Sequence, residues 1–139
     1  DTSTVQRSMQ MTLDQIENLM IDTNKSISYS VGGQATQSDL GSQDSQEKIL
    51  ILESVQGENT QHKEILKWNP DEKKLYCNYN SDRATDMKVM AENISAFSAD
   101  ISQAVSDGIV RFQITIQKRD KEMTQTYTVT LRNQLGADS

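Results

Sequence analysis

The sequence has few of the residues that build covalent cross-links, metal centres and membrane spans. It contains one cysteine, Cys77, one histidine, His62, and one proline in 139 residues, and aromatic side chains make up only 5% of it. A single cysteine excludes an internal disulfide and a cysteine-rich zinc site, and a His-based metal cluster or Ser/His/Asp triad would need His62. The longest apolar run covers residues 49–52, which is too short to cross a bilayer or to serve as a signal peptide.

The charge balance disfavours a nucleic acid as partner. Fourteen Lys and Arg residues against twenty Asp and Glu give a formal charge of −6, and the basic residues form no block. A phosphate backbone attracts a basic stripe, which this chain lacks. With 35% hydrophobic residues in recurring clusters, residues 1–139 are predicted to fold as a single domain with a lean core.

No group of residues in the sequence has the pattern of a catalytic, cofactor or metal site. The flanks of His62 resemble a strand edge, which favours an exposed, inert imidazole, and Cys77 alternates with apolar neighbours as a buried thiol does. Asp82 and Asp86 could offer oxygen ligands to calcium, but they lack the EF-hand spacing and favour a solvated loop. We therefore expect a protein without enzymatic activity, cofactor or metal.

The first segment is predicted to be an amphipathic helix over residues 4–24. Its apolar side chains recur at helical spacing and form one stripe, with polar side chains opposite. The stripe is expected to pack on a sheet. Its members are Val5, Met9, Leu13, Ile16 and Met20.

The rest of the chain alternates in the way that antiparallel strands do. A strand over residues 26–31 precedes a polar loop over residues 32–46, and an antiparallel sheet is predicted over residues 47–133. Its central strand would hold residues 49–52 and lie under the helix, and residues 89–101 fit neither period and are interpreted as an irregular edge strand. The clearest hairpin is the last, turning at residues 119–121. The predicted fold class is α+β, with the N-terminal helix packed on one antiparallel sheet built mainly of hairpins.

Three aromatic residues fall on one predicted hairpin. Trp68, Tyr76 and Tyr79 could form a platform for sugars or peptides, but with so few aromatics in total they are also expected in the core or in a subunit contact. Both interpretations remain open at this stage.

Several segments, taken in order, resemble the type IV pilin-like family, in particular the PilW-like minor pilins and the J-type minor pseudopilins of type II secretion. The amphipathic helix TVQRSMQMTLDQIENLM is followed by ILKWNPDEKKLY, which is similar to the family's aromatic, Asp-rich-turn, Leu-Tyr hairpin. VMAENISAFS and the closing TLRN are similar to the stretches that lead into and end the family's last strands. Cys77 stands where the family commonly has arginine after Leu-Tyr, and the family's N-terminal apolar segment with its processing site is absent from this sequence.

The resemblance implies a pilin-like fold and a structural subunit of a type IV pilus, type II secretion or competence filament. Such a subunit is made as a membrane-anchored precursor, contacts other pilin or pseudopilin subunits and works at the cell surface. On this view Met11 and Ile21, opposite the packing stripe, could contact neighbouring subunits, or they are merely exposed apolar residues. The alternative is an extracellular binding module or pilus-tip adhesin that uses the loop over residues 34–46 or the Trp68/Tyr76/Tyr79 hairpin.

Overall fold

Helix α1 begins the fold. A computed structural model of the protein describes residues 2–56, 60–78 and 87–136, and α1 spans Thr2–Met20. The segment has no proline or glycine to interrupt the helix, and its apolar stripe gives it one face to bury. The helix ends four residues earlier than predicted, where Thr23 donates its backbone N–H to the carbonyl of Met20 at 3.0 Å in a turn.

Most of the following strands form one antiparallel sheet, which we call sheet A. Its spatial order is β2-β1-β3-β4-β5-β6, so the nine-residue strand β3 and the ten-residue strand β4 lie inside it. The edge strands are short, with two residues at one edge and four at the other. The strands are β1 (Ser26–Val31), β2 (Gln34–Ala35), β3 (Lys48–Gln56), β4 (Thr60–Asn69), β5 (Lys74–Cys77) and β6 (Lys88–Ala91).

The last three strands form a separate antiparallel sheet, sheet B, in the order β7-β8-β9. They are β7 (Ile94–Asp100), β8 (Ile109–Lys118) and β9 (Lys121–Thr130), and the short helix α2 (Ala104–Asp107) joins the first two. β8 and β9 form the predicted last hairpin around a two-residue turn, in which Arg119 has a φ of 55°. That left-handed conformation matches the turn to the twist of the two strands.

The predicted fold class is wrong. The described part of the chain is mostly antiparallel β-sheet, with 50% of the described residues in strands. These strands form two sheets instead of the single sheet of an α+β, pilin-like arrangement, and the N-terminal helix is present. The residues predicted as one irregular edge strand, 89–101, contribute to both sheets, because β6 closes sheet A and β7 opens sheet B. Asn93, with a φ of 62°, turns the chain between them, and asparagine tolerates that left-handed conformation. Neither helical nor strand periodicity fits a segment that changes sheets at its middle.

Helix α1 covers sheet B and not the predicted central strand. It packs mainly on β8 and β9. It runs in the same direction as β9, because Glu17 bonds Tyr127 and the later residue Ile21 bonds Arg132. Ser8 accepts from the Lys118 ammonium at 2.6 Å near one end of the helix, and Arg132 donates its backbone N–H to the Ile21 carbonyl at 3.0 Å beyond the other end. β3 is an inner strand of sheet A, as predicted, but helix α1, which was expected to cover it, packs on sheet B.

Candidate functional site

The outer face of α1 is the first candidate for a functional surface. The five residues of the predicted packing stripe are at most 2% exposed and belong to the hydrophobic core, so the opposite face of the helix points to solvent. Met11 lies on that face with 57% of its surface exposed, the most exposed apolar residue of the helix. Ile21, the other predicted contact residue, is half-buried beyond the end of the helix, where its carbonyl binds Arg132.

A groove runs beside Met11, between α1 and the ends of β6 and β8. It has a volume of about 190 Å³ and is lined by Met11 and Gln15 of the helix, by Met90 and Glu92, and by Lys118. The Lys118 ammonium is held at its margin by the hydrogen bond to Ser8. The groove therefore combines two flexible thioether side chains, which adapt to irregular partners, with a cation at its edge.

The structure does not place the predicted aromatic residues of this hairpin together on one exposed surface. Trp68 is 2% exposed, and its Nε1–H donates to the carbonyl of Ile94 at 2.9 Å, so its ring belongs to the core between the sheets. Tyr76 is half-buried with its hydroxyl bonded to Glu72. Tyr79, like Asp82 and Asp86, lies outside the described residues. Trp68 therefore stabilises the fold and is not available to a ligand.

The loop over residues 34–46 is fastened to both sheets by one carboxylate. Asp39 Oδ1 accepts the Tyr29 hydroxyl at 2.6 Å and the backbone N–H of Ala99 at 3.0 Å, and Asp39 Oδ2 lies 2.7 Å from the ammonium of Lys48. Tyr29 and Lys48 belong to sheet A, whereas Ala99 belongs to sheet B. Leu40, the next residue, is 37% exposed at the tip of this fastened loop.

Lys48 is the buried cation of this junction. Its side chain has no exposed surface, its ammonium donates to the carbonyl of Phe97, and it lies 5.4 Å from the centre of the Trp68 ring. A buried ammonium needs a carboxylate and hydrogen bonding to offset its lost hydration, and Lys48 has the Asp39 carboxylate and the Phe97 carbonyl. Burial and the adjacent Asp39 carboxylate raise the pKa of Tyr29 well above its usual range, so the hydroxyl stays protonated and donates.

Sequence reasoning missed this polar junction. Asp39 stands in a segment with almost nothing to bury, and Lys48 directly precedes the most apolar run of the chain. A lysine at the start of a buried strand is the one available signal, since a charge at such a position requires a partner. The sequence does not indicate which of the two carboxylates of the neighbouring loop, Asp39 or Asp44, is the partner.

The two side chains best suited to catalysis or metal binding, the thiol of Cys77 and the imidazole of His62, are not brought together. Cys77 is fully buried, and His62 is half-buried opposite Ser54 in the β3–β4 ladder. Within residues 2–56, 60–78 and 87–136, no three His, Cys, Asp or Glu side chains are grouped to hold a metal ion. No helix of the described part of the chain is long and apolar enough to cross a membrane.

No protein-family model, no curated protein and no solved structure matches this chain.

Proposed function

We propose that this protein is a non-enzymatic structural subunit, similar to a minor pilin or pseudopilin, that acts through subunit contacts in a type IV pilus, type II secretion or competence filament. The observation that carries the proposal is the one-sided packing of α1. A nineteen-residue helix buries one stripe on sheet B and leaves Met11, 57% exposed, beside a groove on its other side. The proposal rests on this helix and on the order of the segments, and not on a pilin-like fold.

The groove supports a subunit contact in which α1 takes part. Met11 and Met90 offer apolar, adaptable surface, and Lys118 offers a cation that an acidic side chain of a neighbour could approach. The proposed partners are other pilin or pseudopilin subunits, and the proposed location is the cell surface, with a membrane-anchored precursor before assembly. A nucleic acid is not a proposed partner, because the formal charge of −6 opposes it.

The first test is the coding sequence immediately upstream of Asp1. The proposal expects about twenty apolar residues that continue the helix, enough to cross a bilayer, after a short basic leader with a processing site. An ordinary start codon, or a secretory signal cleaved directly before Asp1, contradicts it.

The second test is site-directed cross-linking in the producing cells. Met11→Cys is expected to form disulfides or short bifunctional cross-links with another filament subunit when the filament assembles. Val105→Cys is the matched control, since Val105 is 68% exposed but lies on α2. The wild-type Cys77 is buried and therefore stays unreactive in both variants. Equal cross-linking at positions 11 and 105 contradicts a contact that involves α1.

A binding module is the second candidate function, and the fastened loop favours it. Asp39 and the hydrogen bond from the backbone N–H of Gly41 to Ser98 Oγ hold the loop on either side of Leu40, so the loop presents a defined surface. A screen of glycans and matrix proteins, with Leu40→Ala as the test variant and Val105→Ala as the control, tests it. Binding that Leu40→Ala abolishes and Val105→Ala leaves intact supports this function, and a negative screen contradicts it.

A further inference from the structure

The edges of the two sheets are protected to different degrees. Sheet A ends in the two-residue strand β2 on one side and the four-residue strand β6 on the other. The β7 edge of sheet B is covered by the loop, since Asp39 donates its backbone N–H to the Ala99 carbonyl at 3.0 Å and Ile101 donates to the Gln37 carbonyl at 2.8 Å. Among the outermost strands of the two sheets in the described ranges, β9 is the longest, with ten residues.

Alternation along β9 shows which backbone groups point away from the sheet. Leu131, just beyond the strand, donates its N–H to the Gly108 carbonyl at 2.8 Å, on the β8 side, whereas Arg132 donates to Ile21 on the opposite side. Backbone groups alternate in direction along an antiparallel strand, so the even-numbered residues of β9 direct their N–H and C=O groups outward. Within the described ranges, these outward groups have no backbone partner. They belong to Glu122, Thr124, Thr126, Thr128 and Thr130.

β9 also lacks the features that keep an edge strand from pairing. Proteins protect long edges with charges, proline, bulges or a covering segment. Residues 123–131 read MTQTYTVTL, with no charge, proline or glycine, and the β8–β9 register runs without a shift. Its threonines are residues that favour strands. The strand is thus an open hydrogen-bonding template whose natural occupant is another strand.

We propose that β9 pairs antiparallel with β9 of a second copy of this chain, about a twofold axis at Thr126, so that the two sheets B become one continuous sheet. The second copy offers a strand of the same length, and in both strands residues 123–130 carry uncharged side chains. Centring on Thr126 uses the whole strand and places Thr124 opposite Thr128 and Glu122 opposite Thr130, so no like charges face each other. Opposed threonines on the solvent face pair favourably.

This pairing goes beyond the proposed filament role. The symmetric pair directs its two α1 helices in opposite directions, because α1 follows the direction of β9 in each copy. The proposed dimer therefore forms from the described part of the chain without other filament subunits. Failure of the pairing would leave the filament proposal intact, and failure of the filament tests would leave the pairing intact.

Sedimentation velocity over a concentration series tests the pairing. The wild-type chain is expected to show a monomer–dimer equilibrium, and Thr126→Lys is expected to weaken the dimer at least about tenfold because it places two lysines face to face on the axis. Ser28→Lys is the matched control, an exposed residue of β1 inside sheet A that should leave the dimer unchanged. A wild-type chain that stays monomeric up to about 1 mM, or equal weakening by both lysine variants, overturns the proposal.

Mixing charge variants tests the register. Thr126→Glu alone is expected to dissociate as Thr126→Lys does, whereas an equimolar mixture of the two variants is expected to recover the dimer, because Lys then faces Glu. If both variants stay monomeric in the mixture, a twofold axis near residue 126 is contradicted. Hydrogen exchange needs no mutation: the amides of Thr124, Thr126 and Thr128 should become protected as concentration rises, and unchanged exchange contradicts the pairing.

Discussion

Two junctions hold this molecule together, and they place their polar groups differently. Between the sheets, the contact of Lys48 with Asp39 is enclosed, with the lysine side chain fully buried. Between α1 and sheet B, the centre is apolar, and the polar contacts lie at the margins, such as the pair of Arg132 with Asp22, whose side chains are more than 60% exposed. Water competes for the second kind of contact and not for the first. The stability of the sheet–sheet junction should therefore depend on a few polar atoms, and the stability of the helix–sheet junction should depend on buried apolar volume.

The largest expected effect comes from removing one charge of the enclosed pair. Lys48→Met leaves the Asp39 carboxylate without its cation and should lower the free energy of unfolding by about 3–5 kcal/mol, measured by urea denaturation. The double variant Lys48→Met/Asp39→Asn is the control and should recover a large part of the loss, because no charge then stays unpaired. A single variant as stable as the wild type would mean that the pair is hydrated in solution and that the two junctions are alike.

A cavity under the helix should cost somewhat less. Leu13 has no exposed surface, and Leu13→Ala should lower the free energy of unfolding by about 3 kcal/mol through lost apolar contacts and the cavity left behind. Met11→Ala on the exposed side of the same helix should change it by less than about 0.5 kcal/mol. Similar losses for both variants would show that the outer face of α1 is also covered in solution.

The hydroxyl of Tyr29 gives a smaller, pH-dependent effect. Its pKa is raised in the folded state, so its contribution is complete below the unfolded pKa of about 10 and is lost as the pH rises above that value. Tyr29→Phe should lower the free energy of unfolding by about 1 kcal/mol at neutral pH and should make its decline above pH 10 shallower. The comparison is a pair of urea series at pH 7 and pH 10.5, and an unchanged decline in the variant would contradict the assignment.

The smallest expected change in stability comes from the exposed ion pair at the margin of the helix–sheet junction. Arg132→Ala removes an exposed ion pair with Asp22 and should change the free energy of unfolding by less than about 0.5 kcal/mol. This change should stay below about 0.5 kcal/mol at both low and high salt. Denaturation at low and high salt measures it. A loss of several kcal/mol would place this contact in the same class as the Lys48 pair.

Local patterns predicted the elements better than their assembly. The alternation of residues 109–131 and the stripe of α1 each depend on neighbours along the chain, and both elements occur, although α1 ends four residues earlier than predicted. The change of sheet at Asn93 depends on a single left-handed residue, and a pattern averaged over several residues does not resolve it. This is why two sheets were mistaken for one.

The candidate surfaces were harder to predict, because exposure is decided by distant parts of the chain. Trp68 and Tyr76 share a hairpin, yet Trp68 is buried by its contact with Ile94, twenty-six residues away. Asp39 looks like part of a solvated loop until Ala99 and Lys48 are placed beside it. For Met11, in contrast, the helical period alone indicates the face, and the structure leaves that side chain exposed.

The distance along the chain between α1 and its cover has a consequence for folding. The hydrogen bonds that join the helix to sheet B link residues 110 positions apart, such as Glu17 and Tyr127. A helix of this length is only marginally stable by itself, so α1 stays unsettled while the intervening strands are made. Its apolar stripe is synthesised before the strands that bury it, because β8 and β9 follow all the other described strands in the sequence. Synthesis thus leaves an interval in which chaperones and neighbouring nascent chains compete for the helix, and closure of the β8–β9 hairpin ends it.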